Sequence, residues 1–253
     1  MRRLAVGTLL PVLTIAALVG LWWLATLIFD WPAFLVPTPL DVGNEIVDER
    51  RLLLDSFEAT LYESLIGFAI AIAVAVPSAV AIAYSELLER TVYPALVALN
   101  AIPKIAIAPL LVIWMGFGIG PKITMVVLIC FFPIVISTAT GLKATPAELV
   151  ELSRSLSASR LDEFVRFRFP WALPYVFVGL KVAIALAVIG AVVGEFIGAT
   201  EGLGYVIVAS QQNANTTLAF AAIVLLSLMS IALFYAIVLT QRVLVPWSDE
   251  PQT

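Results

Sequence analysis

The sequence contains no histidine and a single cysteine, and charged residues make up only 13% of its 253 positions. Without histidine there is no Ser-His or Cys-His nucleophile pair, no imidazole base and no histidine-ligated metal. Cys130 lies in the apolar run "MVVLICFF" and reads as a small buried or lipid-facing side chain, uninformative about redox compartment. The nearest approach to a nucleotide-binding loop is "GFGIGPKIT", where Pro121 stands in place of the glycine before lysine. The chain therefore has no Walker A site. A net charge of -4 with no basic cluster excludes a nucleic-acid partner. No metal or cofactor is expected to be held by this chain.

What fills the space is grease. Hydrophobic residues make up 62% of the chain and mean hydropathy is +1.05, where a soluble domain is nearer half apolar and a quarter charged. The expected class is an all-α polytopic membrane protein with a single transmembrane domain over residues 1–253. A span needs about 20 mostly apolar residues, and six stretches qualify: 4–29, 61–84, 92–117, 122–142, 172–197 and 218–241. The first is longer than a signal-peptide core and lacks a small-x-small cleavage site, so it reads as a retained span. The third is interrupted by Pro94, Pro103, Lys104 and Pro109, and is expected to lie on the membrane surface before entering the bilayer. With both termini inside, nine Lys/Arg fall on the cytoplasmic side and three (Arg50, Arg51, Lys122) outside, which supports N-in, C-in. The outer segment behind "VPTP" reads as a short amphipathic helix, and "WSDEPQT" as a polar tail. Tryptophans cluster at span ends, as an aromatic belt places them.

One stretch breaks the pattern. "ELVELSRSLSASRLDEFVRFRFP" (Glu148–Pro170) carries four acidic and four basic residues in the longest cytoplasmic loop, 143–171. Thr145, Pro146 and Glu148 form a capping-box pattern, and Leu149, Leu152 and Leu156 recur near helical spacing. Ser159 with Asp162 opens a second helix that Pro170 and Pro174 are expected to close. An amphipathic pair of this kind can lie on lipid headgroups or fill a groove in another protein. Balanced charge favours the groove, because a lipid-surface helix draws mainly on Lys and Arg.

The loop resembles the EAA motif of ABC-importer permeases, Glu-Ala-Ala-x-x-x-Gly followed by Ile-x-Leu-Pro. Glu151-Leu152-Ser153 occupies the Glu-Ala-Ala positions, Ser157 the glycine, and Phe167-Arg168-Phe169-Pro170 the closing tetrad; the spacing agrees while three small residues depart from the pattern. "LNAIPKIAIAPLLVIWMGFGIGPK", "PWALPYVFVGLKVA" and "GEFIGATEGLGYVIVASQQNANTTLAFAAIVLL" are similar to the nitrate/taurine/aliphatic-sulfonate branch, so that the resemblance covers residues 57–243. It implies a type I ABC importer permease fold of six spans in a bacterial or archaeal cytoplasmic membrane. It implies a second copy of the permease, surrounded by membrane lipid. It also implies a cytoplasmic ATPase dimer that carries ATP and Mg, and a periplasmic or lipid-anchored solute-binding protein. The loop is then a coupling helix, with Glu148, Glu151, Leu152, Ser153, Leu156, Ser157, Ala158, Phe164 and Pro170 as ATPase-coupling residues. The substrate class is a small solute, either an anion such as nitrate, sulfonate or taurine, or a vitamin precursor.

Other residues keep two readings each. Lys104 and Lys181 are intramembrane or interfacial cations that either snorkel and pair structurally or ease an anion along the path. Glu195 either bonds the following turn or touches substrate. Gly190, Gly194, Gly198 and Gly202 recur every four residues, as a helix-packing series or as a hinge. "QQNANTT" (Gln211–Thr217) is a solvated outer loop or part of a docking surface. The alternative classes are a self-contained secondary transporter or channel, which needs midplane coupling carboxylates, and an intramembrane hydrolase, which needs a nucleophile and base. The residues for neither are in place.

Overall fold

The structure, a computed structural model, describes residues 2–247, with backbone alone for residues 2–12 and for Arg154. The polar tail beyond Trp247 and the charges of Arg2, Arg3 and Arg154 lie outside the described residues. Every regular element among the described residues is helical. In lipid this is required, since only a helix or a closed barrel satisfies its own backbone.

The helices are α1 (Arg2–Phe29), α2 (Pro39–Asp48), α3 (Arg50–Tyr84), α4 (Glu86–Asn100), α5 (Ala108–Met115), α6 (Ile119–Lys143), α7 (Ala147–Ser155), α8 (Arg160–Glu163), α9 (Phe169–Glu195), α10 (Leu203–Gln212) and α11 (Thr216–Leu244). Four helical stretches are long and apolar enough to cross a membrane: α3, α6, α8 through α9, and α11. The pair α4 and α5, bent by 84°, makes up to five. The expected first span falls on α1, whose side chains are described only from Leu13. Six complete spans are thus not reached among the described residues.

The third expected span is the bent pair. Pro103 has no N–H to donate and the chain leaves helical geometry at 101–103, resuming through a short 3-10 turn, Lys104–Ile107. The short amphipathic helix is α2, opened by a capping box in which Thr38 Oγ1 accepts from Asp41 N–H while Thr38 N–H donates to Asp41 Oδ2. The second span begins earlier than residue 61. α3 has 35 residues, about 52 Å at 1.5 Å each, so it projects beyond a hydrocarbon core of about 30 Å.

α3, α6 and α9 form the centre. Lipid tails are as apolar as leucine, so these helices associate by close packing rather than by escape from water. The contact surface is small residues: Ala71, Ala75 and Ala79 on α3 and Ala183, Ala187 and Ala191 on α9 all lie in one buried cluster with Val126, Cys130 and Ala139 of α6. A Cβ at Gly190 would stand 2.9 Å from Val126 Cα, and one at Gly194 2.8 Å from Lys122 Cα. Those two glycines set the α6–α9 spacing. The four-residue series does not continue as a packing face, however. α9 ends at Glu195, and Gly198 (φ +82°) and Gly202 (φ +110°) lie in the turn beyond it, in backbone conformations that favour glycine.

Candidate functional site

The charged stretch forms α7, a turn, α8 and a π-helical segment, Phe164–Arg168, that runs directly into α9. Pro170 and Pro174 do not close the second helix as the sequence pattern predicts. Residues 160–195 are one helix, because the π turn absorbs the proline: Phe169 N–H donates five residues back to the Phe164 carbonyl, just before Pro170, which has no N–H to give. The loop's second helix and the long apolar helix that follows therefore form one continuous rod. The start of α7 also differs from expectation. Thr145 Oγ1 donates back to the Leu142 carbonyl at 3.0 Å, and the Pro146 carbonyl accepts from Leu149 and Val150, so the helix opens on Pro146. The second cap is as expected, with Asp162 N–H donating to Ser159 Oγ at 3.1 Å.

Burial sorts the expected coupling residues. Leu152, Leu156, Leu161 and Val165 are exposed at 48, 67, 72 and 53% and form an apolar ridge, with Glu148, Glu151, Ser157 and Arg166 exposed around it. Ala158 and Pro170 are half-buried. Ser153 is not at that surface: it is 1% exposed and donates to the Val150 carbonyl at 2.8 Å. Phe164 turns inward as well, with its ring 5.8 Å from Tyr84 and 5.6 Å from Phe169. Both hold the loop against its own subunit and leave the ridge exposed. Arg168 reinforces this by pairing with Glu163 at 2.6 Å over the Tyr84 ring, and Lys143 pairs with Glu89 at 2.7 Å.

Ser157 explains why a glycine suits its position. It has φ +53°, and Ala158 N–H donates to the Ser153 carbonyl at 3.0 Å across it, the closing bond of a Schellman C-cap. A side chain in that conformation costs about 1–2 kcal/mol. Ser157→Gly is expected to raise unfolding stability by about 1 kcal/mol. Ser157→Val is expected to lower it and to misplace the ridge. Denaturant melts of the purified chain read the first, and substrate-stimulated ATPase activity of the assembled complex reads the second.

At the far ends of α6 and α9 from this loop lies a buried network that the sequence reading did not assemble. Lys122, counted there as an outer-loop charge, is 5% exposed, and its Nζ donates to Glu63 Oε1 at 2.6 Å and to the Glu201 carbonyl at 3.4 Å. Glu195 is 1% exposed; its Oε1 accepts from Thr60 Oγ1 at 2.6 Å and its Oε2 from Gly204 N–H at 2.5 Å. Thr60 Oγ1 accepts from Leu203 N–H at 2.9 Å. Glu195 thus bonds the turn that follows it. The available signal was the rule that ionisable groups inside spans are paired and functional. Glu63 and Lys122 escaped it because each sits at the edge of an expected span.

The other candidates are tied locally. Lys104 Nζ donates to Asn100 Oδ1 at 2.8 Å and lies over the Phe132 ring. Lys181 is half-buried. Because the span starts at Phe169 rather than near Pro174, Lys181 sits about 18 Å along α9. "QQNANTT" is the end of α10 and the cap of α11: Asn215 Oδ1 accepts from Leu218 N–H, and Asn215 Nδ2 donates to Glu45.

Residues 66–249 match the family described as "Binding-protein-dependent transport system inner membrane component". The formylaminopyrimidine transport permease protein ThiX of Halalkalibacterium halodurans is 37% identical over 94% of this chain and 95% of its own. The taurine transport system permease protein TauC of Escherichia coli is 28% identical over 94% and 90%. Among solved structures, the methionine ABC transporter MetNI in an inward-facing conformation superposes with a TM-score of 0.69 at 20% identity, over 78% of this chain and 97% of that one. The relatives are permeases, not enzymes. The all-helical fold with its close-packed α3–α6–α9 centre agrees with these matches, and the chain belongs to this family of multi-pass membrane components as the permease subunit of an ABC importer.

Proposed function

We propose that two copies of this chain form the path of an ATP-driven importer, each with its 147–168 loop seated in a groove of a cytoplasmic ATPase, and that the solute arrives from an external binding protein. The single observation that carries this reading is the exposed set of Leu152 and Leu156 on α7 and its turn with Leu161 and Val165 on the helix that runs on into a span. Four large apolar side chains projecting from a charged loop call for a protein partner. A chain without a nucleotide site must receive its work by contact, and a continuous rod passes it on as a rigid-body shift. N-in, C-in topology places that ridge in the cytosol.

For the cargo, the greater identity to a formylaminopyrimidine permease than to a taurine permease supports a small vitamin-precursor-like heterocycle over a sulfonate. The test is purification of the tagged chain from its own membranes. An ATPase subunit is expected to copurify, and uptake into proteoliposomes with the binding protein is expected to stop with vanadate and to survive a protonophore. Uptake abolished by the protonophore and indifferent to vanadate would establish a secondary transporter instead.

A further inference from the structure

The network around Lys122 has no part in the coupling surface, yet it is the most polar buried site of the described chain. Its members come from four elements: Thr60 and Glu63 from α3, Lys122 from α6, Glu195 from α9, and the backbone of Leu203 and Gly204 from α10. α10 opens on Gly202, which has no side chain to cap the first-turn N–H groups. Those donors are instead satisfied at long range, by the hydroxyl of Thr60 and the carboxylate of Glu195, the charge that suits a helix N-terminus. A Cβ at Gly202 would collide with the Glu195 carboxyl, so the turn is shaped around this bond. Lys122 adds a third tie, to the carbonyl of Glu201. The segment 196–204 is therefore tied to three membrane helices by hydrogen bonds to groups that can re-pair, beside the apolar packing of Ile197 and Leu203. Glu63 Oε2, buried with no partner among the described residues, is a spare acceptor for Lys122 when Glu201 leaves.

α6 and α9 each run unbroken between this network and the coupling loop, and Gly190 and Gly194 hold the two in backbone contact. We propose that Thr60, Glu63, Lys122 and Glu195 are a latch that fastens the 196–204 turn and α10 at the end of the path opposite the ATPase, and that each transport cycle releases and re-forms it. This rests on the importer reading above. Glu195 acts as a positioning residue: it fixes a mobile element and touches no cargo.

The test follows a single cysteine at Ala199 in a Cys130→Ala background, probed with a membrane-impermeant maleimide in the complete permease–ATPase complex. Labelling is expected to differ at least tenfold between nucleotide-free and vanadate-trapped complexes with the latch intact. In Glu195→Ala the difference should vanish, with labelling high in both states, while the ATPase still copurifies. Glu195→Gln, which keeps an acceptor for Gly204 and a donor for Thr60, should restore it. As a second measurement, exchange of the Gly204 amide should quicken about a hundredfold in Glu195→Ala. State-dependent labelling kept in Glu195→Ala, or equal labelling of both states with the latch intact, overturns the latch. Loss of the ATPase from the unmodified complex would instead overturn the importer reading.

Discussion

Lys122→Met is expected to be among the most damaging single substitutions in the chain. Its ammonium is the cation in direct contact with Glu63, at 2.6 Å, in a site where the two side chains are 6 and 2% exposed. Removing one partner of a buried pair leaves the other charge desolvated and unmatched, at a cost of about 3–5 kcal/mol. Glu63→Leu should cost a similar amount. The double variant Glu63→Leu/Lys122→Met should cost less than the sum of the two single losses, because both partners of the 2.6 Å pair are gone, while Glu195 keeps only its bonds to Thr60 and Gly204. A double-mutant cycle on detergent-solubilised protein, read as unfolding midpoints, measures that coupling. Additive losses would mean that the two side chains do not depend on each other.

The second large effect is at the ridge, and it should appear in association rather than stability. Leu161 is 72% exposed and Leu156 67%, so neither contributes to the α3–α6–α9 core. Burying a leucine against a partner is worth about 1.5–3 kcal/mol. Leu161→Ser is therefore expected to weaken ATPase binding about 10- to 100-fold, and Leu156→Ser/Leu161→Ser to abolish copurification. Thermal unfolding of the isolated permease should be unchanged in both. A fall in unfolding temperature with ATPase binding intact would place the leucines in the subunit's own packing.

Much of this could be read in the sequence because apolar length and local caps are strong signals. The spans at 122–142 and 218–241 lie within α6 and α11, and the Ser159–Asp162 cap is where the pattern put it. The misses share a cause: they depend on what packs against a residue, which no local pattern carries. Pro170 and Pro174 read as stops because a proline cannot continue an i to i−4 ladder, but a π turn just before Pro170 accommodates the first, and α9 continues through the second. Ser153 and Leu152 are neighbours in one motif, and only the tertiary contact turns one inward and leaves the other free. The glycine series looked like one helix face, since spacing alone cannot show that α9 stops at Glu195. The ion network was illegible for the same reason. Glu63, Lys122 and Glu195 are spread over more than 130 positions of the chain, and α10, which completes the site, falls between two expected spans, where the sequence reading assigns only the loop Gln211–Thr217.

The coupling role of the loop is tested most directly by a photoreactive side chain installed at Leu161 in the membrane-embedded complex. Irradiation is expected to give a covalent adduct to the ATPase subunit in good yield, with no reaction of a Leu161→Cys thiol towards an impermeant maleimide added to right-side-out vesicles. A crosslink to lipid alone, or ready labelling from outside the cell, would contradict it.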